Sequence, residues 1–403
     1  MLAVVALGAC GDNIEVFEEQ PSIEVAHYAA LQAGKLDMLF VMDPTMGSEP
    51  ARDLGNQAST LFDALAGTDV RVGVTTSDLG TTTSVDRATS SPAFNACAGA
   101  GDDGVLTVVT DATSDTVKAA LHVDLGGCEF EQPLGAMARA FDNPANAGFL
   151  RDDANLLVVL MSSQDDCSVR DAAMFDPTDD AALGFRWAFR CTRFGVECDQ
   201  PIREPGMKTR CHANETSRLI EHVGTYIARL QLEKPDPTRV ATYALSGPLE
   251  PVQVIGGAYL LAPSCMYPNG GSPGRSMPGI RLADFTSAFE NNGYGTICES
   301  NYVGQLNEIG TLAKRMAGVT CLDTAKLLDS GSQPGIQPSC AVTIEGSNSI
   351  RSLHECADDV TTDCFQVLRD VTACPNGDSL RLDVPLANPS PDEHVRARCV
   401  VSY

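Results

Sequence analysis

Positive charge is the scarcest property of this 403-residue sequence. Lys and Arg total 28 against 53 for Asp and Glu, and the formal net charge is −25. A surface of this sign repels the phosphate backbones of nucleic acids and the anionic headgroups of lipids. We therefore expect no nucleic-acid partner, and we expect contact with a membrane only through an attached lipid.

Several signatures of function are missing as well. The sequence has no H-E-x-x-H and no G-x-x-x-x-G-K-[ST], the motifs of metalloproteases and nucleotide-binding proteins, and its one G-x-S-x-G, at 270–274, lies in a stretch rich in Gly and Pro rather than between a predicted strand and a helix. No C-x-x-C pair occurs and the six histidines are scattered, which argues against structural zinc. After residue 10, no stretch approaches the ~20 apolar residues of a membrane-spanning helix. We predict that the chain is not an enzyme.

The first ten residues, MLAVVALGAC, join a short apolar run to Cys10. Small residues before this cysteine resemble a bacterial lipobox, in which a peptidase cuts the chain and the thiol carries a lipid. No Lys or Arg precedes the run, although signal peptides usually begin with positive charge, so an ordinary apolar start with a chance cysteine stays open. Gly11 follows the cysteine, where an aspartate would act as a retention signal for the inner membrane. The prediction is an outer-membrane lipoprotein of the cell envelope, facing the periplasm or the outside.

Fourteen cysteines remain when Cys10 is set aside. An even number in an exported chain predicts up to seven disulfides, whose pairing the sequence does not give. Sequence neighbours, such as Cys191 with Cys198 or Cys356 with Cys364, could close short loops. The disulfide candidates are Cys97, Cys128, Cys167, Cys191, Cys198, Cys211, Cys265, Cys298, Cys321, Cys340, Cys356, Cys364, Cys374 and Cys399.

Short apolar runs alternate with helical patterns along the middle of the chain. Residues 36–43, 70–77, 155–163 and 239–247 are predicted strands covered on both faces. Apolar residues three and four apart predict helices within 50–67, 131–143, 215–233 and 301–317. This alternation predicts the α/β class, with a mainly parallel sheet flanked by helices. Ligands of such sheets bind beyond the carboxyl ends of the strands, where Asp43, Ser77 and Ser163 fall.

Composition divides the chain into four parts. Residues 1–10 are the predicted lipoprotein signal, and residues 11–34, with five acidic residues and no Lys or Arg, form a predicted tether. Residues 35–317 are the α/β domain, with long cysteine-rich loop insertions that disulfides are expected to brace. Residues 318–403 carry six cysteines and short β-like pieces, which predicts a small disulfide-rich β module.

A first strand that ends in Asp43, with the hydroxyls of Thr45 and Ser48 directly after it, resembles the von Willebrand factor A-type (vWA) domain. The metal-ion-dependent adhesion site of that family opens with Asp-x-Ser-x-Ser at this point. The segments RVGVTTSDLG, GGCEFEQPLGAMARAF, GFLRDDANLLVVLMSSQDDCS, RCTRFGVECD and GTICESNYVGQL are similar to segments of vWA lipoproteins from myxobacteria and related Gram-negative bacteria. The resemblance implies a vWA/Rossmann-like fold and a location in the cell envelope.

The resemblance also implies a Mg²⁺ site, from which this sequence departs. Asp43 keeps the first position and Thr45 can replace the first serine, but Gly47 stands at the second serine and Ser48 comes one residue late. Lost ligands lower metal affinity. The favoured interpretation is a degenerate site, in which Asp43 bonds local amides.

Two more ligand positions depart from the family pattern. Leu125 aligns with the family's threonine, and Ser163 aligns with its second aspartate. A functional Mg²⁺ site, or a rearranged one that uses Asp43, Thr45 or Ser48 with Asp165, stays open, so the predicted cofactor is none or Mg²⁺.

These observations predict a lipid-anchored envelope protein for adhesion. Its vWA-like domain is expected to bind an unidentified protein or extracellular matrix ligand through the loops at the carboxyl edge of the sheet. The alternatives are an envelope hydrolase with a non-standard site and a purely structural envelope lipoprotein.

Overall fold

The computed structural model describes most of the chain. The described residues are 21–30, 34–46, 48–62, 65, 68–80, 101–123, 126–128, 130–176, 180–184, 187–234, 236–256, 260–269, 271–332, 335–357, 359–371, 373–374 and 379–402. Cys10 with its lipobox, Gly47, Cys97 and Leu125 lie outside these ranges, as does the side chain of Ser48.

The strands are, in chain order, β1 (Ser22–Ala29), β2 (Lys35–Met42), β3 (Asp69–Thr76), β4 (Thr107–Val109), β5 (Asn155–Met161), β6 (Val196–Glu197), β7 (Gly206–Lys208), β8 (His212–Ala213), β9 (Val240–Ser246), β10 (Val252–Ile255), β11 (Leu260–Leu261), β12 (Cys265–Tyr267), β13 (Gly274–Ser276), β14 (Asn291–Thr296), β15 (Thr320–Cys321), β16 (Cys340–Gly346), β17 (Ser349–Leu353), β18 (Gln366–Arg369), β19 (Leu380–Asp383) and β20 (His394–Val400).

The α-helices are α1 (Ser48–Asn56), α2 (Ser59–Phe62), α3 (Ser114–Leu121), α4 (Pro133–Asp142), α5 (Asp180–Leu183), α6 (Trp187–Gly195), α7 (Val223–Glu233), α8 (Ile280–Ser287) and α9 (Val303–Met316). Short 3-10 turns occupy Pro144–Asn146, Ala172–Phe175, Pro237–Arg239 and Thr324–Lys326. None of the helices in the described ranges is long and apolar enough to cross a bilayer.

A six-stranded sheet forms the centre of the α/β part, in the order β14-β9-β5-β2-β3-β4. The pairs β14–β9, β9–β5, β5–β2 and β2–β3 are parallel, whereas β3–β4 is antiparallel. The predicted α/β class is thus found as a mixed sheet. Counted by their order in this sheet, the strands run 3-2-1-4-5-6, and the chain reverses its direction of travel between β2 and β5.

Both faces of this sheet are buried, because successive side chains of a strand point to opposite sides. Met38 and Phe40 belong to one core, with residues of α1, α2, α3 and α9. Leu39 and Val41 belong to a second core, with residues of α4, α7 and α8. The continuous apolar runs in the sequence are explained by this double burial.

The predicted helix over 215–233 begins later than its pattern indicated. Helix α7 starts at Val223, and the carboxylate of Glu215 accepts hydrogen bonds from the N–H groups of Val223 (3.0 Å) and Gly224 (3.2 Å). The residues before the helix therefore form a loop whose acidic side chain satisfies the first amides of the helix.

The end of the chain forms separate small sheets. A four-stranded sheet has the order β1-β20-β16-β17, and a three-stranded sheet has the order β15-β19-β18. Residues Ser22–Ala29, which fall in the predicted tether, form an edge strand of the first sheet by antiparallel pairing with β20. Their buried side chains share a core with the C-terminal strands.

Disulfides join cysteines throughout the described residues. The pairs are Cys167–Cys191, Cys198–Cys211, Cys265–Cys298, Cys321–Cys374, Cys340–Cys399 and Cys356–Cys364. Cys128 is also in a disulfide. The pairing of Cys356 with Cys364 is confirmed. The pairing of Cys191 with Cys198 was wrong, because each of them binds a cysteine further away in sequence.

Candidate functional site at the carboxyl ends of the parallel strands

Asp43 follows β2 directly, and Ser163 follows β5 within two residues. These two strands are the neighbours between which the chain changes direction, the point where open α/β sheets bind their ligands. The Asp43 carboxyl is fully buried. Its Oδ1 accepts the N–H groups of Thr45 (2.7 Å) and Met46 (3.1 Å), and its Oδ2 accepts the N–H of Ser163 (2.8 Å). Asp43 thus holds two loops together.

Three hydroxyls also contact this carboxyl, and that of Ser162 is the most distant, at 3.5 Å from Oδ2. Thr45 Oγ1 lies 2.8 Å from Asp43 Oδ1, and Ser163 Oγ donates to Asp43 Oδ2 at 2.7 Å. Because these hydroxyls direct their hydrogens inward, they present lone pairs on their other sides.

Glu131 is the second carboxyl of the site and is 1% exposed. It precedes α4, in which Pro133 occupies the first position, where its missing N–H has no cost. Glu131 Oε1 lies 2.7 Å from Thr45 Oγ1, and Oε2 accepts a hydrogen bond from Ser77, the residue after β3. The single hydroxyl hydrogen of Thr45 cannot serve both Asp43 and Glu131. A proton or a cation is needed between the remaining oxygens.

The charges around Asp43 and Glu131 also indicate that a proton or a cation lies between their oxygens. No Lys or Arg among the described residues contacts either carboxyl. Burial raises the pKa of Glu131 well above its ordinary value, and the charge of Asp43 raises it further, while hydrogen bonds from Ser77 and Thr45 lower it. Two buried carboxylates without a positive partner are costly. The pair therefore requires a proton, which the raised pKa of Glu131 favours, or a cation.

A divalent cation fits this set of oxygens. Hard cations such as Mg²⁺ and Ca²⁺ prefer carboxylate and hydroxyl oxygens. Asp43, Thr45, Ser77 and Glu131 supply such oxygens, and their two carboxyls offset the charge of a dication. This set shares Asp43 and Thr45 with the ligands predicted from the sequence and adds Ser77 and Glu131.

Asp165, another predicted ligand, is engaged elsewhere. Its Oδ1 accepts the N–H groups of Arg281 (3.0 Å) and Leu282 (3.3 Å) in the first turn of α8. Burial raises the pKa of Asp165 to about 7, although the backbone bond from Arg281 opposes this rise. The structure gives no contact between Asp165 and Asp43 or Thr45. Ser48, the remaining predicted ligand, is the first residue of α1.

A fully buried ion pair lies next to Asp165 and the first turn of α8. Arg281 Nη2 donates to Asp166 Oδ2 at 2.9 Å, and both side chains are 0% exposed. Asp166 Oδ1 also accepts the N–H of Leu134 at the start of α4. The pair therefore fixes α4 and α8 beside the site.

A cavity of about 420 Å³ opens onto the same hydroxyls. Thr45 and Ser163 line it, together with Gln164, Phe189, Tyr267 and Arg275, among others. The Tyr267 hydroxyl donates to the carbonyl of Met46 at 2.9 Å, so the β12–β13 hairpin packs on the loop after Asp43. Arg275 is exposed and has no hydrogen-bond or ion-pair partner among the described residues.

Disulfides brace the loops around this cavity. Cys265 begins β12 and is bonded to Cys298, beyond the end of β14. Cys167, which comes shortly after Ser163, is bonded to Cys191 in α6. The predicted bracing of the long loops is thus seen at the edge of the sheet where the site lies.

A different group of side chains, Glu24, His27 and Glu290, has metal-ligand atoms within 4.8 Å of one another. Arg396 Nη2 lies 3.4 Å from His27 Nε2, and His27 Nδ1 lies 2.5 Å from Glu290 Oε1. Facing a guanidinium, Nε2 must accept, so Nδ1 carries the hydrogen that Glu290 accepts. Both ring nitrogens are thereby used, and Arg396 adds a positive charge where a metal would bind.

Glu131 is the residue that sequence reasoning missed. It lies in GGCEFEQPLGAMARAF, which carries the resemblance, but nothing in its spacing distinguishes it from an ordinary acidic residue before a helix. The available signal was its position just before a helix that begins with proline. The sequence placed Ser77 at the end of a strand but assigned it no contact in the site.

No protein-family model matches this chain, and no curated protein matches it. Among solved structures, it is similar to the conserved hypothetical protein BatB from Bacteroides thetaiotaomicron, with 10% identity and a TM-score of 0.31, over 69% of this chain and 98% of that one. It is also similar to proximal thread matrix protein 1 from the mussel byssus, with 9% identity and a TM-score of 0.34, over 75% of this chain and 52% of that one. The chemistry of the site is therefore argued from the chain's own residues.

Proposed function

We propose that this chain is a lipid-anchored cell-envelope protein whose vWA-like domain binds another protein or a matrix component without catalysing a reaction. The observation that carries the proposal is the cavity beside the buried pair Asp43 and Glu131. It lies at the reversal point of a sheet with the order 3-2-1-4-5-6, where such sheets take their ligands.

The binding position includes a divalent cation held by Asp43, Thr45, Ser77 and Glu131. Bound there, the ion would neutralise the two carboxyls and leave a coordination position for an acidic group of the ligand. Compared with the family, this set is degenerate at Gly47 and Ser163 and is completed by Glu131. Arg275, on the wall of the cavity, adds a positive charge that suits an acidic ligand.

The absence of catalysis is supported by the hydroxyls of the site. Ser77 donates to Glu131 and Ser163 donates to Asp43, so both hydrogens go to buried carboxyls. No histidine among the described residues contacts either serine. A nucleophilic serine instead needs a base that takes its proton while the oxygen faces the substrate.

The anchor is proposed at Cys10, with the residues up to β1 as the connection to an outer-membrane lipid. Labelling of the expressing cells with an alkyne analogue of palmitate tests this part. We expect label on the wild type and none on Cys10→Ser. Equal labelling of both would contradict it.

Site-specific photo-crosslinking tests the binding face. A photoreactive amino acid replaces Gln164 at the cavity, or Ile350, a 73% exposed residue of β17, as the control. In intact cells we expect a discrete adduct from position 164, none from position 350, and loss of the adduct with Glu131→Gln. No adduct at position 164, or an adduct that persists in Glu131→Gln, would contradict the proposal.

A further inference from the structure

A second cavity, of about 390 Å³, lies at the other end of the α/β domain. The last turn of α9 forms one wall with Lys314 and Arg315, and Val25 of β1 and residues 319–325 form others. Asn155, the first residue of β5, donates to the carbonyl of Met316 in the same turn. The cavity is thus at the amino ends of the parallel strands, away from Asp43.

Lys314 is a buried cation without a carboxylate partner. Its side chain is 8% exposed, and its Nζ donates to the carbonyl of Ala373 at 2.6 Å and lies 3.9 Å from Cys321 Sγ. Asp370 is the acidic residue that acts on it from a distance, and Asp370 is paired with Arg381 at 3.0 Å. A buried charge of this kind is costly until an anion pairs with it.

Arg315 is the second positive group of the cavity. It is half-buried, and its guanidinium has no hydrogen-bond or ion-pair partner among the described residues. Asp323 also lines the cavity, but its carboxylate is 2.9 Å from Lys326 Nζ. In a chain of net charge −25, two adjacent cations at one cavity without carboxylate partners are unusual.

The end of α9 does not need these cations as caps. The carbonyls of Ala313, Lys314 and Arg315 accept the N–H groups of Ala317, Val319 and Gly318. The turn closes with Gly318 at φ +75°, a backbone conformation that glycine adopts without strain. The last carbonyls are therefore satisfied by the backbone, and the charges of Lys314 and Arg315 are available for another partner.

A buried hydroxyl without a partner lies in the same wall. Thr320 is 4% exposed, and its Oγ1 has no hydrogen-bond partner among the described residues. Buried polar atoms are nearly always hydrogen-bonded, but this oxygen has less than 1 Å² of accessible area and therefore does not open onto the cavity.

The remaining wall is apolar. Val25, Val319, Leu322, Ala325 and the disulfide Cys321–Cys374 contribute to it. With about 30 Å³ for each water-sized group, the volume holds roughly a dozen non-hydrogen atoms. We propose that this cavity binds a small organic anion, whose carboxylate or phosphate head pairs with Lys314 and Arg315 and whose short apolar body packs against Val25 and Leu322.

Calorimetric titration of the folded chain tests this proposal with three probes of equal chain length. Octanoate and octyl phosphate carry the two head groups, and 1-octanol is the neutral control. We expect one saturable site for at least one of the anions and binding of octanol at least about tenfold weaker, because a charge-assisted contact is lost. No saturable binding of either anion, or equal binding of octanol, would overturn the proposal.

Variants assign the site to these residues. Lys314→Met and Arg315→Gln should each weaken anion binding about 10- to 100-fold, whereas Arg218→Gln, a change of an exposed arginine outside the cavity, should leave it unchanged. Thr320→Val changes a hydroxyl that does not open onto the cavity, and it should bind the anion as the wild type does. If Lys314→Met fails to fold, the half-buried Arg315 still decides the matter. Unchanged affinity in Arg315→Gln would refute the assignment.

Discussion

Asp43 and Glu131 approach the same hydroxyl, Thr45 Oγ1, at 2.8 Å and 2.7 Å. The contact joins the loop after β2 to the segment before α4, and it brings two buried carboxyls together where none of the described Lys or Arg side chains contacts them. In this account, the charge of this pair determines both the stability and the binding chemistry of the site.

Asp165 should make the stability of the protein depend on pH. Burial raises its pKa in the folded state to about 7, against about 3.9 in an unfolded chain. The folded state therefore binds the proton more tightly, and the free energy of unfolding should fall as the pH rises from about 4 to about 7. Asp165→Asn should remove the share of this loss that Asp165 causes, so the loss between about pH 5 and about pH 8, measured by urea unfolding, should be smaller than in the wild type. The same loss in both proteins would contradict this assignment.

Arg281→Met should destabilise the fold by about 3 to 5 kcal/mol, because it leaves the buried carboxylate of Asp166 without its partner. The double variant with Asp166→Asn should lose less than the sum of the single changes, since the two residues interact directly. Chemical unfolding of the four proteins gives the coupling. A loss below about 1 kcal/mol for Arg281→Met would show that this ion pair is not fixed as described.

Gly274 should tolerate no side chain. A Cβ there would lie 2.0 Å from the ring of Tyr267, so Gly274→Ala should move the ring that contacts the carbonyl of Met46 and cost about 1 to 3 kcal/mol. Gly304→Ala is the matched control, because its Cβ would meet nothing within 4 Å in α9 and should stabilise the helix by up to about 1 kcal/mol. Equal melting temperatures for the two variants would be the unexpected result.

The disulfide Cys265–Cys298 should support the site, since it ties the hairpin that carries Tyr267 to the segment after β14. Replacing both cysteines by alanine should cost about 2 to 4 kcal/mol and weaken the response of the protein to divalent cations. The pair Cys356–Cys364, in the C-terminal module, is the control. Its removal should leave that response intact, and a similar loss in both variants would argue against a local effect.

The strands of the central sheet were predictable because a strand that is buried on both faces is a continuous apolar run in the sequence. The runs over 155–163 and 239–247 contain β5 and β9, the runs over 36–43 and 70–77 match β2 and β3 to within one residue at each end, and the helix over 301–317 contains α9. A predicted helix boundary was wrong where a side chain accepts the first amides of the helix. The Glu215 carboxylate accepts the N–H of Val223, and α7 begins only there. The strand Ser22–Ala29 could not be placed because its partner, β20, lies at the far end of the sequence.

The site was predictable only in part, for a similar reason. Asp43 and Thr45 are neighbours in sequence, so their association is local. Glu131 and Ser77 reach the same point from two other connections, and only the packing of α4 against the sheet brings them there. Asp165 was predicted as a metal ligand because it follows a strand. An acidic residue at such a position can also cap the first turn of a helix, and here Asp165 accepts hydrogen bonds from the amides of α8.

The central claim is that Asp43 and Glu131 hold a divalent cation, and differential scanning calorimetry tests it most directly. The melting temperature is measured in Mg²⁺, Mn²⁺ or Ca²⁺ and in chelator, for the wild type, Asp43→Asn, Glu131→Gln and Asp165→Asn. A cation that binds only the folded state should raise the melting temperature of the wild type and of Asp165→Asn, but not that of the other two variants. A wild-type melting temperature that is the same with each ion and with chelator would contradict the account.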